Sequence, residues 1–558
     1  MVDVIVGVAL MLILFLALFG VLRASLTLSA ITKAKAVAVE LASTQIEYMR
    51  GLSYGSLGTV GGIPSGTIPQ VATSTVDGIP YIIRTFVEYK DDPTDGLGAA
   101  DANAITTDYK VGRVTISYSI HGLVKSTTLL SNFVPLTIES STGGGTLSIH
   151  AVDAAGTNVS GASVRIFNTA TVPAIDFVTF TNIGGFAIIG GAATSTEYQI
   201  LVSKAGYSSA QTYARVGQNV NPMPGYLTVV KDQTTGATFS IDLLASLSIS
   251  SFSPAVTTAF SDLFSSDIHL ASQTNTVVTG NELVLTTEEL SGSARSTTIT
   301  PSALDGWGIL SATLSTPSGT SALVRVVDAS GVPLDDSVLM GNGAGFSSFP
   351  VSLTNLSTTT YPALALEISL ARNATTTTVA LQNWSLSHTE GPFILPNVAF
   401  TLTGTKSIGT DASNKPIAKT ILSDTTGAAA TKTESLEWDA YTLSLDSMDL
   451  IESCPADPLS IAPASVTGVS LVVGALTDHT LPIIIETAAG NVIPNAKVVL
   501  AKSDYAATVP TSVCGLAYFG ELTSGDYSAT VSAPGYVTKT FSDISVAGHM
   551  ATTTLILP

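Results

Sequence analysis

The sequence is 558 residues long, which is too long for one hydrophobic core and predicts several domains. Only 12% of its residues are charged, about half of the share of about 25% in soluble proteins, and 42 acidic against 23 basic residues give a net charge of -19. Because the basic residues are few and form no cluster, nucleic acid is excluded as a partner.

The first predicted element is a long N-terminal helix, residues 1–50. Residues 4–22 are apolar, uncharged and numerous enough to cross a bilayer of about 30 Å. No proline interrupts residues 4–50, and the later part is amphipathic. Five residues at helical spacings predict one buried stripe: Ala30, Ala34, Val37, Leu41 and Tyr48. The outer half of this helix is therefore predicted to pack on protein.

Two stretches of this helix, VDVIVGVALMLILFLALFG and ELASTQIEYMRGLSY, resemble the type IV pilin family. The second is similar to the helix end of minor pilins and secretion pseudopilins. In that family a peptidase removes a basic leader ending in glycine, the new N-terminus is methylated, and the helices bundle into a filament core. An acidic residue, usually glutamate, stands near the mature start. The resemblance implies that Asp3 is this assembly residue and that other pilin subunits are partners.

Asp3 differs from the usual glutamate, and no basic leader precedes it, so we expect the natural chain to begin further upstream. A buried carboxylate is tolerated when it meets a cation, and the proposed cation is the free amine of a neighbouring subunit. Such a pair also fixes axial register, as single buried polar groups do in coiled coils. The alternative is that Asp3 caps the helix and complements its dipole. The two interpretations are compatible.

Residues 51–140 are predicted to form the pilin head, a Gly- and Pro-rich loop followed by strands that pack on the helix. An acidic loop joins two of these strands. Its carboxylates are weak calcium candidates: Asp91, Asp92, Asp95, Asp101 and Asp108. Calcium takes six to eight oxygen ligands, but the loop lacks the EF-hand spacing. The alternative is a solvated acidic turn, so calcium is the only cofactor considered.

Residues 145–246 and 478–558 share a repeat. AAGTNVSGASVRIFN in the first pairs with AAGNVIPNAKVVLAK in the second, and YQILVSKAGY pairs with YSATVSAPGY. Alternating apolar residues predict β-sandwiches with one buried face per sheet. The pattern resembles the carboxypeptidase regulatory-like family, related in fold to transthyretin and Cna-B modules, with a divergent copy at 394–477. The resemblance implies spacers or binding platforms without peptidase activity.

Residues 249–391 show a different strand spacing and resemble galactose-binding-like or lectin-type jelly rolls. Trp307 and Trp384 are weak candidates for stacking on a sugar ring. The alternative is that both side chains fill the sandwich core.

Cys454 and Cys514 are candidates for a disulfide between the last two modules, which an oxidising envelope exterior permits. The alternative is two buried thiols. The sequence contains no H-E-x-x-H, G-x-S-x-G or P-loop motif, so we name no catalytic residue and predict that the protein is not an enzyme.

Together these features predict a multidomain, mainly β chain: a long transmembrane and amphipathic helix, an α+β pilin head and a string of β-sandwiches. The predicted function is a structural or adhesive minor pilin of a type IV pilus, for adhesion or assembly initiation. We expect a single-pass membrane protein of a prokaryote, with its C-terminal part outside the cytoplasm and at the pilus or cell surface after assembly. The alternatives are a static membrane-anchored adhesin and a surface carbohydrate-binding or carbohydrate-active protein acting through 249–391.

Overall fold

The computed structural model describes residues 2–92, 94, 107–120, 122–135, 144–548, 550 and 552–558. Within these residues one long helix is followed by β-strands in separate antiparallel and mixed sheets. The prediction of a multidomain, mainly β chain with one long apolar N-terminal helix is confirmed.

The head consists of the outer half of helix α1 and a four-stranded antiparallel sheet in the order β1-β2-β3-β4. Its elements are α1 Val2–Arg50, β1 Val71–Val76, β2 Ile79–Lys90, β3 Tyr109–Ile120 and β4 Leu123–Phe133, with a short 3-10 turn at Tyr54–Ser56. Buried residues of β2 and β3, including Tyr81, Val114 and Ile116, face the helix and form one core with it.

The buried stripe of α1 differs from the predicted one. Ala30 and Tyr48 are exposed, and Tyr48 keeps 51% of its surface. The residues that are buried against the sheet are Ala34, Ala38, Ala42, Ile46 and Met49. The prediction was wrong at Ala30 and Tyr48, because the buried side of the helix is centred on these five residues, with Val37 and Leu41 only partly buried at its border.

The first sandwich, residues 144–242, encloses a core between two sheets. The first sheet has the strand order β10-β9-β6-β7, and β12 also pairs with β9. The second sheet has the order β13-β5-β8, and its strands β5 and β13 are parallel. Its strands are β5 Gly145–Val152, β6 Ser163–Asn168, β7 Ile175–Phe180, β8 Phe186–Ala192, β9 Ser195–Ser203, β10 Ala210–Gln211, β11 Asn221–Pro222, β12 Leu227–Val229 and β13 Thr234–Ser240.

The next strand, β14 (Ala245–Ser253), belongs to a sandwich whose remaining strands lie between residues 393 and 475. It pairs with Val466–Ala475 in parallel and with Thr431–Leu436 in antiparallel fashion. The sequence predictions divided this segment between 145–246 and 249–391. The structure instead buries Ala245, Leu247 and Ile249 in the core of the predicted 394–477 module.

Residues 256–390 form a sandwich of their own, called the inserted sandwich below. In sequence it lies between β14 and the later strands that complete the sandwich of β14. Its sheets have the orders β17-β18-β24-β20-β22, with β15 on β24, and β16-β19-β23-β21. Its strands are β15 Val256–Asp262, β16 Leu270–Thr274, β17 Thr276–Thr279, β18 Glu282–Leu285, β19 Ser291–Ser296, β20 Leu304–Ser315, β21 Thr320–Asp328, β22 Val351–Ser352, β23 Leu364–Arg372 and β24 Ala380–Glu390.

The host sandwich combines β14 with residues 393–475 around one core. Its sheets have the orders β25-β14-β34-β32, with β30 on β14, and β29-β26-β31-β33. Its later strands are β25 Phe393–Ile394, β26 Ala399–Gly404, β27 Ser407–Thr410, β28 Pro416–Ala418, β29 Ile421–Thr425, β30 Thr431–Leu436, β31 Asp439–Ser444, β32 Met448–Cys454, β33 Leu459–Ile461 and β34 Val466–Ala475.

The C-terminal sandwich, residues 480–558, repeats the plan of the first. Its sheets have the orders β38-β35-β41, in which β35 and β41 are parallel, and β37-β36-β39-β40. Its strands are β35 Leu481–Thr487, β36 Lys497–Lys502, β37 Tyr505–Pro510, β38 Leu516–Phe519, β39 Gly525–Ser532, β40 Lys539–Val546 and β41 Thr553–Leu557.

Candidate functional sites

The inner half of α1 exposes a continuous series of large apolar side chains along its described part, from Met11 to Leu28. Phe15 and Phe19 keep 61% and 66% of their surface, and their apolar neighbours up to Leu28 are similarly exposed. By length and composition the helix can cross a membrane, and none of its most apolar window is buried. An apolar surface of this size marks a membrane or protein contact.

Asp3 lies in the first turn of α1. Its side chain lies outside the described part of the structure, so its role in assembly stays a prediction.

The turn that follows α1 is held to strand β3 by a buried lysine that the sequence predictions missed. Lys110 is 1% exposed, and its Nζ donates hydrogen bonds to the carbonyl oxygens of Tyr54 at 2.6 Å and Leu57 at 2.8 Å. The same Nζ lies 4.5 Å and 5.2 Å from the ring centroids of Tyr54 and Tyr89. Burial lowers the pKa of Lys110 to about 8.

One sequence signal could have found this lysine. In β3 Lys110 is an even number of positions away from Val114 and Ile116, which face the helix. Side chains an even number of positions apart lie on the same face of a strand, so this spacing places the Lys110 side chain inside the head.

The acidic loop is described only at its ends. Asp92 accepts hydrogen bonds from the backbone N–H (3.0 Å) and hydroxyl of Thr94, which lower its pKa, and the backbone N–H of Asp92 donates to the Asp108 carboxylate. Asp91 is also described, whereas Asp95 and Asp101 lie outside the described residues. Within the described ranges, no three His, Cys, Asp or Glu side chains are grouped for a metal ion. Calcium in this loop stays a prediction.

Both tryptophan candidates of the inserted sandwich are core residues. Trp384 is 0% exposed and Trp307 is 2% exposed, and the Trp307 indole N–H donates to the Tyr361 carbonyl oxygen at 2.8 Å. Their rings therefore have no free face for a sugar. The sugar-stacking interpretation is corrected on this ground.

The first and host sandwiches meet through polar contacts. Strand β11 pairs with β27, and the Lys419 ammonium bridges the two sandwiches. It donates to the Ser209 carbonyl oxygen of the first sandwich and to the Glu437 carboxylate of the host, each at 2.7 Å. The Glu437 side chain is 7% exposed, so this pair is shielded from solvent screening.

The host and C-terminal sandwiches are joined covalently. Cys454 at the end of β32 and Cys514 just before β38 form a disulfide, with their Cα atoms 5.6 Å apart. At the same junction, the Tyr518 hydroxyl donates a 2.8 Å hydrogen bond to the Asp449 carboxylate. The same carboxylate accepts from the Thr477 backbone N–H and hydroxyl. The last two modules are thus joined by the disulfide and by the Tyr518–Asp449 hydrogen bond.

The last of these modules matches a known family. Residues 483–556 match the carboxypeptidase regulatory-like domain, which confirms that prediction for the C-terminal sandwich. The match covers a small part of the chain, and the other two predicted copies stay predictions. No curated protein matches the chain in sequence.

Several solved structures resemble the chain at low similarity. The Bacillus anthracis TIE protein has 12% identity and a TM-score of 0.16, over 81% of this chain and 59% of that one. This chain therefore spans less than two thirds of the TIE protein. BcpA, the major pilin subunit of Bacillus cereus, has 10% identity and a TM-score of 0.13, over 74% and 99%. The minor pilin GBS52 of Streptococcus agalactiae has 14% identity and a TM-score of 0.12, over 29% and 83%. Scores this low carry no argument about function.

Proposed function

We propose that the chain is a minor pilin-like surface subunit, whose helix packs into a type IV pilus-type filament and whose β-modules project for adhesion or assembly initiation. The observation that carries this proposal is the division of α1 into two halves. The outer half is buried on the head sheet from Ala34 to Met49, whereas the inner half exposes apolar side chains that no described residue covers.

A helix bundle in a filament core would cover that inner half. Before assembly the same surface fits the hydrocarbon core of a membrane, because its length and composition suffice to cross one. In this proposal Asp3 enters the bundle and pairs with the amine of a neighbouring subunit. Desolvation makes an unpaired carboxylate at that position costly, so the pair selects one axial register.

The contacts between modules support a projecting role. The first and host sandwiches share the Lys419 bridge, and the host and C-terminal sandwiches share the Cys454–Cys514 disulfide. A chain of modules joined in this way can hold its distal end away from a filament or cell surface. The acidic and weakly charged composition suits exposure to solvent without nucleic-acid partners.

The alternative is a static surface protein anchored by the same helix, since exposed apolar residues also suit permanent residence in a membrane. The two functions differ in what they require of Asp3. A filament subunit needs its carboxylate for docking, whereas a static anchor does not.

The test compares Asp3→Ala with a matched control, Asp526→Ala, which removes an exposed carboxylate from β39. Protein is measured by immunoblot in sheared filaments and in the membrane fraction of the cells. We expect Asp3→Ala to lower the filament share about tenfold or more at an unchanged membrane level, because a register-fixing buried pair contributes more than about 1.4 kcal/mol. Equal filament shares for both variants, or absence of the native protein from filaments, would leave the static anchor.

A further inference from the structure

A cleft of about 530 Å³ lies between the host and C-terminal sandwiches. Its volume falls within the range of about 300–1,000 Å³ that is usual for small-molecule sites, which often form where domains meet. Leu450 lines the host side, and Ile484 and Leu516 line the C-terminal side. Ile484 and Leu516 point away from the core of their own sandwich, yet they are only 4% and 8% exposed. These two side chains therefore form a sheltered apolar wall of the cleft.

The charged side chains among the described lining residues of the cleft are all acidic. Asp446, Asp449 and Asp457 line it, and the described lining residues include no Lys, Arg or His. Asp449 is 4% exposed and is held in place by Thr477 and Tyr518. The Leu443 backbone N–H donates a 2.8 Å hydrogen bond to Asp457.

Burial raises the pKa of Asp457 despite that hydrogen bond, because its carboxylate is poorly solvated. A cation placed beside it would offset this desolvation. These three carboxylates would repel an anion, and a neutral apolar molecule would gain nothing from their charge.

We propose that this cleft binds a small amphiphilic cation, with an ammonium group beside the Asp457 and Asp449 carboxylates and an apolar body against Leu450, Ile484 and Leu516. The Cys454–Cys514 disulfide adjoins the cleft and holds its two walls together. The site is preorganised, since the ligand does not have to bring the modules together. This inference does not depend on whether the helix enters a filament.

The probe is 2-phenylethylamine, protonated at neutral pH, added to the full-length chain in neutral detergent. Amide hydrogen exchange is followed in strands β32 and β38, which flank the cleft. We expect saturable protection of both strands. The controls are 3-phenylpropanoate, which has a similar apolar body with the opposite charge, and ethylamine, which has the charge without the aromatic body. Neither control is expected to protect these strands when it is added at the concentration at which 2-phenylethylamine gives half of its maximal protection.

Two variants locate the site. Asp457→Asn removes one carboxylate charge and is expected to raise the half-saturating concentration at least about fivefold, the effect of roughly 1 kcal/mol. Asp504→Asn, at an exposed position of the C-terminal sandwich, is the matched control and is expected to leave it unchanged. Ala456→Trp places a large side chain in the cleft lining and is expected to abolish protection. Exchange in the unliganded variants verifies that both sandwiches remain folded.

Three results would overturn the proposal: no saturable protection by 2-phenylethylamine, equal protection by 3-phenylpropanoate, or an unchanged half-saturating concentration in Asp457→Asn. If Asp457→Asn does not fold, unchanged protection in a folded Ala456→Trp variant would overturn it instead.

Discussion

At the scale of single residues, Lys110 shows how the head tolerates a buried charge. Its ammonium group is surrounded by two carbonyl oxygens and two tyrosine rings, which replace part of its lost hydration. These contacts attach the turn after α1 to strand β3. Desolvation still dominates its pKa, which falls from 10.5 to about 8.

This pKa predicts a pH dependence of head stability. In the unfolded chain Lys110 holds its proton up to about pH 10.5, whereas in the folded head it releases the proton near pH 8. Between these values the unfolded state binds more protons, so the free energy of unfolding of the head rises with pH. Below about pH 8 both states are protonated, and the cost of burying the charge is fully present.

The measurement is amide hydrogen exchange in β3, corrected for the intrinsic exchange rate, at several pH values from 7.5 to about 9.5. We expect protection to increase with pH in the native chain and to stay level in Lys110→Met, which has no proton to release. The same pH profile in both proteins would show that Lys110 is not the titrating group.

At the scale of elements, the alanine stripe of α1 sets the distance between helix and sheet. Ala38 and Ala42 are completely buried, so the helix backbone lies directly over the sheet side chains. Close-packed interiors accept little added volume. The stripe therefore makes the head sensitive to the size of these side chains rather than to their hydrophobicity.

We expect Ala42→Leu to destabilise the head by about 1–3 kcal/mol through overpacking. Ala36→Leu is the matched control, because Ala36 is exposed on the same helix and leucine is a good helix former. Hydrogen exchange of β2 and β3 measures the difference between the two variants. Equal protection in both would contradict the close helix–sheet contact.

Elements with a strong local pattern were predictable from the sequence. The uninterrupted apolar run specified the helix, and alternation with glycine turns specified the sandwich strands. The partner of β14 was not predictable in this way. Its alternation of Leu247 and Ile249 with serines shows a strand with one buried face, but the core that receives it is completed by β30 and β34, far along the chain.

The candidate sites were less predictable than the fold, because they depend on contacts between modules. The sequence indicated both cysteines, and the structure joins them. Nothing local in the sequence indicated that Lys419 meets Ser209, or that Ile484 and Asp457 line one cleft. Burial of Trp307 and Trp384 likewise depends on strands that are distant in sequence.

At the scale of the whole molecule, the chain is a series of modules with fixed junctions. The host sandwich is central, because it carries the inserted sandwich between β14 and β25, contacts the first sandwich, and is bonded to the C-terminal one. Force applied to the C-terminal sandwich would pass through the disulfide into the host.

We expect Cys514→Ser to destabilise the C-terminal sandwich by about 2–4 kcal/mol, since the bond closes a loop between residues 60 apart. Differential scanning calorimetry of the full chain measures the loss as a lower unfolding temperature for one transition. Cys454→Ser should lower it equally, and the double variant should lower it no further. Unequal single variants, or no loss in either, would show that the bond does not stabilise this junction.

The central claim of the proposal is that α1 enters a filament, and the resemblance to type IV pilins predicts that a leader is removed first. The most direct test is N-terminal sequencing and mass spectrometry of the native protein recovered from sheared surface filaments. We predict a processed, N-methylated start within a few residues of Asp3. An unprocessed, unmethylated N-terminus on protein found only in the membrane fraction would contradict the claim.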